Sequence, residues 1–486
     1  MVLGTLLTAV WAGAASNLTN DFDLYFSDAT LRVDFVQFGD GTQEFVGLDR
    51  LIRQGVWAGP TRHLVDRFGY GRYAVKLVHL STGAILFERG FDSYFGEYRT
   101  TEAARNGLAR AYHNTMLVPF PLQPVRLLIE RRAAGEEPEV LWSSIVDPES
   151  VEIATEPPTP GATVVQAHAS SSPHRTLDIA VIGEGYRADE AALFRDDLAR
   201  FASLMLSQRP YADFEDRIAI RGVHLPSAES GADEPTHGRY RSTAVGMTFN
   251  SLGSERYMLT EQNRSLRDIA AHVPYDALVI MVNHTRYGGG GIYNSYCSFT
   301  AHNEWSGYLL LHEFGHSFAG LADEYYSSDV AYSDFYPPGT EPVEANITAN
   351  VDRESLKWAD LVAADTPLPT PWSKERFDSV GAEFQEKRQR INAELAEAVR
   401  NGAPADEIAA LEQQQQELAE ETAGWTEAFL DDLEHADAVG AFEGAGYASE
   451  GLYRPMADCL MFRRGIQPLC RVCERAVVEV IRSSID

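Results

Sequence analysis

The stretch LLLHEFGHSFAGLADEYY, Leu309–Tyr326, sets two histidines four residues apart with a glutamate directly after the first. On a helix, His312 and His316 share one face one turn apart, a spacing at which two imidazoles can hold one Zn2+. Glu313 falls about 100° around the helix, an offset that suits a base touching a metal-held water rather than the metal. The apolar residues Tyr308–Leu311 bury this helix, where two histidines and a carboxylate are costly unless paired or metal-bound. An unbroken helix would carry Asp323 about 10 Å beyond His316. Gly320 can take the left-handed conformation, end the helix and turn the chain, so that Asp323 comes back as a third ligand. Glu324 is the competing candidate for that position, and a more distant residue, as in zincins with a downstream glutamate, is the third.

Working outward, the Gly288–Gly291 run just before the helix offers bare backbone to which an extended peptide can pair. Gly289, Gly290, Gly291 and Tyr293 are therefore candidate substrate-binding residues, and Asn294 can line the same cleft. Downstream, YRPMADCLMF (453–462) holds Met456 and Met461. Met461 is the better candidate for a methionine turn beneath the metal, and Tyr453 can reach a developing oxyanion. His284 and His302 read as structural or exposed residues, and His237 lies in a polar loop. A single C-x-x-C, Cys470–Cys473, lacks the second pair of a structural zinc site. With Cys297 and Cys459 it is read as packing or disulfide staples.

The remaining chain divides by texture. Residues 1–16 are apolar and small, like a secretory signal without its basic start. Residues 17–155 carry short strand-like runs such as YAVKLVHLSTGAILFERGF, which suggests a β-sandwich. Residues 156–175, rich in Pro, Ser and Thr, read as a linker. Residues 176–486 begin with strands alternating with helices, the pattern of an α/β sheet domain. Within them, residues 380–430 read as a charged helical hairpin inserted without chemistry of its own, on the helical spacing of Phe384, Ile391, Leu395 and Val399.

The 486 residues include 41 Lys and Arg against 71 Asp and Glu, a formal charge of −30. Such a balance repels nucleic acid. Past the first residues no apolar run is long enough to span a bilayer.

HEFGHSFAGLADEYY, TLDIAVIGEGYRADE, GGGGIYNSY and YRPMADCLM with LCRVC, in that order, resemble the IgA-peptidase family of bacterial zinc metallopeptidases. The resemblance covers roughly residues 174–330 and 440–480, and the hairpin departs from it. It implies an α+β or α/β protein, with a β-sandwich ahead of a zincin-like, metzincin-like mixed-sheet domain. It implies His312, His316 and Asp323 as zinc ligands, Glu313 as catalytic base and Met461 in the floor turn. Compared with the metzincin pattern, one extra residue separates His316 from Gly320, and the third ligand is an aspartate. The expected activity is a secreted, periplasmic or cell-surface zinc endopeptidase acting on a protein or peptide substrate. Hydrolysis of cell-wall peptides, or binding without catalysis, are the alternatives. The resemblance does not establish immunoglobulin as the substrate.

Overall fold

A computed structural model describes residues 22–132, 137–169, 172–326, 336 and 339–486. The apolar start, residues 1–16, lies outside the described residues. From Phe22 the chain runs α1 (Phe22–Tyr25), β1 (Phe26–Gly39), β2 (Glu44–Gln54), β3 (Tyr73–His79), β4 (Ile85–Phe91), α2 (Tyr94–Tyr98), α3 (Glu102–Arg105), β5 (Arg110–Pro121), β6 (Val125–Arg131), β7 (Glu139–Val146) and β8 (Ile153–Ala154). The strands form two four-stranded sheets, ordered β5-β1-β2-β8 and β4-β3-β6-β7. Alternation along β1 turns Leu31, Val33 and Phe35 towards Val75, Leu77, Leu127 and Ile129 of the other sheet, giving one apolar core between them.

The second half continues with β9 (Thr163–His168), β10 (Leu177–Glu184), α4 (Ala191–Ser207), β11 (Ile218–His224), α5 (Asn263–Ala270), β12 (Ala277–Val282), β13 (Gly289–Ile292), β14 (Tyr296–Thr300) and α6 (Ser306–Ala319). Its six-stranded sheet has the order β13-β14-β12-β10-β11-β9. β10, β11, β12 and β14 pair in parallel, while the edge strands β9 and β13 are antiparallel. Both faces are covered, so β10 is a continuous apolar run. Leu177, Ile179 and Val181 face the core that includes α4 and α6, and Ala180 and Ile182 face the core that includes α5. β9 lies inside the stretch read as a linker: its Thr-Val-Val start pairs with β11 and closes the sheet edge. The architecture is thus a mixture of β-sandwich and mixed α/β sheet.

The two halves share an apolar core, in which Tyr94, Phe95 and Tyr112 pack with Ala180 and Ile182, and they also meet through polar groups. Arg32 and Asp34, on the outer face of β1, are fully buried because α5 lies over them, and Arg32 Nη1 reaches Asp268 Oδ1 at 2.6 Å. Beyond α6 come α7 (Lys374–Asn401), α8 (Ala405–Asp431), the two-stranded β15 (Phe442–Ala445) and β16 (Ala448–Arg454), and α9 (Arg471–Ser484). Gly402, at φ +68°, ends α7 and lets α8 fold back, and Phe384, Ile391 and Leu418 bury between the two helices. Among the described residues no helix is long and apolar enough to cross a membrane.

Candidate active site

α6 packs across β13 and β14, and the glycines of β13 allow its close approach. A Cβ on Gly291 would stand 2.6 Å from the Glu313 carbonyl oxygen and 2.9 Å from His316 Cβ. One on Gly289 would meet Ser298 O at 2.8 Å and Glu313 Oε1 at 3.1 Å. Gly289 and Gly291 line the cavity over the motif, together with Tyr293; Gly290 faces Tyr257 and Leu259 instead. The outer edge of β13 is covered at Gly289, whose N–H and C=O bond to Arg256 O and Met258 N. Asn294 turns away, its side chain donating to Gly90 O.

α6 ends at Gly320, in the left-handed region at φ 59° and ψ 31°. From there the chain doubles back, and Asp323 Oδ1 lies 3.0 Å from His312 Nε2 and 3.2 Å from His316 Nε2. The two Nε2 atoms are 3.1 Å apart. His312 Nδ1 is 3.2 Å from Leu460 O, and His316 Nδ1 is 2.6 Å from Leu321 O. A carbonyl only accepts, so each Nδ1 carries hydrogen and donates. In the neutral rings both Nε2 lone pairs then point at each other and at a carboxylate. That arrangement is relieved by a proton on one imidazole or by a metal cation, and the three donors form a group able to hold a metal ion.

Electrostatics agree with the geometry. Burial alone would raise the Asp323 carboxyl, but His316 and His312 hold it well below the usual carboxylate range. Burial opposes protonation of His316, yet Asp323 draws its pKa up to about 9, a measure of how strongly this pocket attracts positive charge. Burial raises Glu313 above an ordinary glutamate, against the pull of the two histidines. Met461 lies under the motif: a Cβ on Gly315 would come within 3.0 Å of its Sδ. Met456 packs at the margin of the same core.

Glu324, the competing ligand, points the other way, with Oε1 3.0 Å from Cys473 Sγ. Tyr453, on β16, does not line the cavity; its backbone pairs with Glu443 of β15 and with Thr348. The tyrosine of this hairpin that does line the cavity is Tyr447, whose hydroxyl donates to Asp323 Oδ2. Gly446 and Tyr447 both have positive φ (56° and 65°) in the tight turn joining β15 to β16, and that turn aims the phenol at the aspartate. A Gly-Tyr pair between two short strand-like runs is a signal that sequence reading could have used. Arg256, which bonds Tyr325 Oη at 3.2 Å and also lines the cavity, carries no such signal. The other histidines are engaged elsewhere: His302 with Asp197 at 2.7 Å, and His284 and His237 with Glu234 at 3.4 and 2.7 Å. No disulfide staples the chain; all four cysteines are buried free thiols.

The cavity over the motif holds about 150 Å³. It opens past Arg256, Tyr287, Tyr308 and Tyr325 into a cleft of about 1410 Å³ walled on one side by α7 and α8, through Phe384, Arg388, Asn392 and Gln416. The hairpin therefore forms a wall of the approach to the site. The arrangement is that of a metal pocket with an adjacent buried carboxyl, reached through a cleft wide enough for a chain segment.

No curated protein matches this chain. Family models do: one described as Peptidase M64 N-terminus over residues 21–143, and one described as IgA Peptidase M64 over residues 165–481, more than half of the chain. The protein belongs to the IgA peptidase M64 family and is a peptidase.

Proposed function

We propose that the protein is a secreted zinc-dependent endopeptidase of metzincin-like design, with His312, His316 and Asp323 as the zinc ligands and Glu313 as general base. The observation that carries this is the pair of Nε2 atoms 3.1 Å apart facing one carboxylate oxygen, with both Nδ1 atoms committed to carbonyls. Two imidazoles and a carboxylate are a donor set that zinc accepts. Bound there, zinc supplies Lewis acidity for the scissile carbonyl and lowers the pKa of the attacking water. Glu313 takes the proton of that water and delivers it to the leaving amine; its burial keeps its basicity above that of an ordinary glutamate. Tyr447 holds Asp323 in place through its second oxygen. Arg256 and Tyr325 border the cavity and offer N–H and O–H donors to developing negative charge.

The substrate is a protein or peptide laid along the larger cleft. Pairing with β13 is confined to residues beyond Gly289, because residues 256–258 already occupy the edge there. Export rests on the apolar, small-residue character of residues 2–15. The test is cleavage of a broad peptide library by the purified protein. Internal cleavage that a chelator abolishes and zinc restores is the expected result. Zinc-loaded protein that cuts no peptide, or cuts only cell-wall fragments, overturns the assignment.

A further inference from the structure

Glu324, Cys459, Cys470 and Cys473 come from three separate stretches and meet at one point in the core, none more than 4 % exposed. Their four ligand atoms all lie within 4.8 Å of one another. Glu324 Oε1 is 3.0 Å from Cys473 Sγ and 3.7 Å from Cys470 Sγ. A tetrahedral Zn2+ with Zn–S bonds of about 2.3 Å sets its sulfurs roughly 3.8 Å apart. The four ligand atoms lie close enough together for one such ion to bridge them.

The backbone around the sulfurs points the same way. Cys459 Sγ accepts from the N–H of Cys470 at 3.2 Å and from the N–H of Met461 at 3.4 Å. Cys470 Sγ, capping α9, accepts from the N–H of Cys473 at 3.4 Å. A thiol is a weak acceptor, so backbone N–H groups converging on two sulfurs suit thiolates. Glu324 Oε2 is fully buried and has no hydrogen-bond partner. Arg454, also fully buried, leaves Nε and Nη2 without partners and lies within electrostatic reach of Glu324 and Cys459. If the three thiols and the carboxyl ionise together, one arginine does not balance their charge, and a divalent cation is what would let them do so. The contrast is the Asp34, Asp49 and His113 group, where Arg32, Arg50 and Arg264 already supply the positive charge. A disulfide fits poorly, since three sulfurs share the site and any bridge leaves one over.

We propose that Glu324, Cys459, Cys470 and Cys473 form a second, structural metal site that takes Zn2+ in a closed tetrahedral shell. Four protein ligands leave no open position, as a structural zinc requires. The site joins α9 to the two segments that shape the active site. Leu460, next to Cys459, accepts from His312 Nδ1, and Met461 O accepts from the Glu324 N–H. Asp323 precedes Glu324 directly. The second ion thus fixes the positions from which the catalytic ligands are held.

The test uses the full chain purified under reducing conditions without chelator. The wild type is expected to carry about two zinc ions and the variant His312→Ala/His316→Ala about one, held by the cysteines. Cys470→Ser/Cys473→Ser is expected to lose about one zinc and to melt at lower temperature. If that variant does not fold, the histidine variant still decides. Loaded with Co2+, it is expected to show the near-ultraviolet charge-transfer absorption of thiolate-bound cobalt, which imidazole and carboxylate ligands do not give. A histidine variant that holds no metal, or cobalt without that absorption, overturns the proposal. So does a disulfide among Cys459, Cys470 and Cys473 in freshly purified protein. The proposal does not rest on the catalytic reading: protein that cuts no peptide but shows the thiolate–cobalt band sinks only that reading.

Discussion

Asp323 and Glu324 are neighbours, yet their carboxylates serve two different pockets. Asp323 turns to His312 and His316 at the floor of an open cavity, with nitrogen and oxygen donors and a base beside them. Glu324 turns to three cysteines in the sealed core. Three donors with access to solvent suit an ion that must also meet substrate. Four donors, three of them sulfur, with no access suit an ion that only holds the chain together. The difference is made by a strand-like segment in which successive side chains point to opposite sides.

The largest expected effect breaks the open pocket. Asp323→Ala abolishes chelator-sensitive cleavage and removes one zinc per chain, measured by metal analysis and a peptide assay. Next, Glu313→Gln keeps both ions and lowers kcat by about 10²- to 10⁴-fold, because the metal pocket persists without its base. On the sealed side, Glu324→Ala costs about 3 kcal/mol of stability in denaturant unfolding, since it leaves three thiolates without their fourth partner. The molecules that remain folded keep the open pocket's ligands.

Another buried carboxylate, Glu234, is paired with His237, His284, Arg239 and Arg286 and, among the described residues, belongs to no group able to hold a metal, so it serves as a control. Burial alone would raise its pKa, but hydrogen bonds and charge from His237 and His284 hold it far below an ordinary glutamate. A carboxyl with a depressed folded pKa stabilises the fold at pH above the unfolded value, about 4.3, and loses that contribution as pH falls towards the folded value. Glu234→Gln should therefore lower stability by about 2 kcal/mol at pH 7, with the gap to wild type closing below pH 4 and indifferent to chelator. The smallest effect belongs to Tyr447→Phe, which leaves the ligands and removes one hydrogen bond to Asp323. Zinc affinity or kcat/KM should fall by about tenfold.

The open pocket was legible in the sequence because its parts obey local rules. Helical periodicity pairs His312 with His316, and a glycine at the helix end turns the chain at Gly320. β10 was likewise readable as a buried strand from its apolar run. The sealed pocket was not, because its parts are distant. Cys459 lies 11 residues before Cys470, and Glu324 lies 146 residues before it, so a lone C-x-x-C gave no hint of its partners. Tyr447, which lines the cavity where Tyr453 does not, was not legible for a related reason. Which tyrosine of a hairpin faces a site depends on strand register, and the Gly446–Tyr447 turn fixes that register only once both strands are paired. β9 hid in a stretch whose composition suggested a linker, because an edge strand needs little apolar character to pair.

Gly320 has one more neighbour that matters. A side chain there would press on Tyr293 at 3.3 Å and on Tyr70 at 3.2 Å, and Tyr70 belongs to the N-terminal sandwich half. The Asp92 N–H also bonds Tyr293 O, and Asp92 and Glu97 help wall the cavity. Anyone trimming the chain to a minimal protease would thus strip the backing from the bend that delivers Asp323. The leading half works as a buttress, and a shortened form of this chain needs a substitute surface in its place.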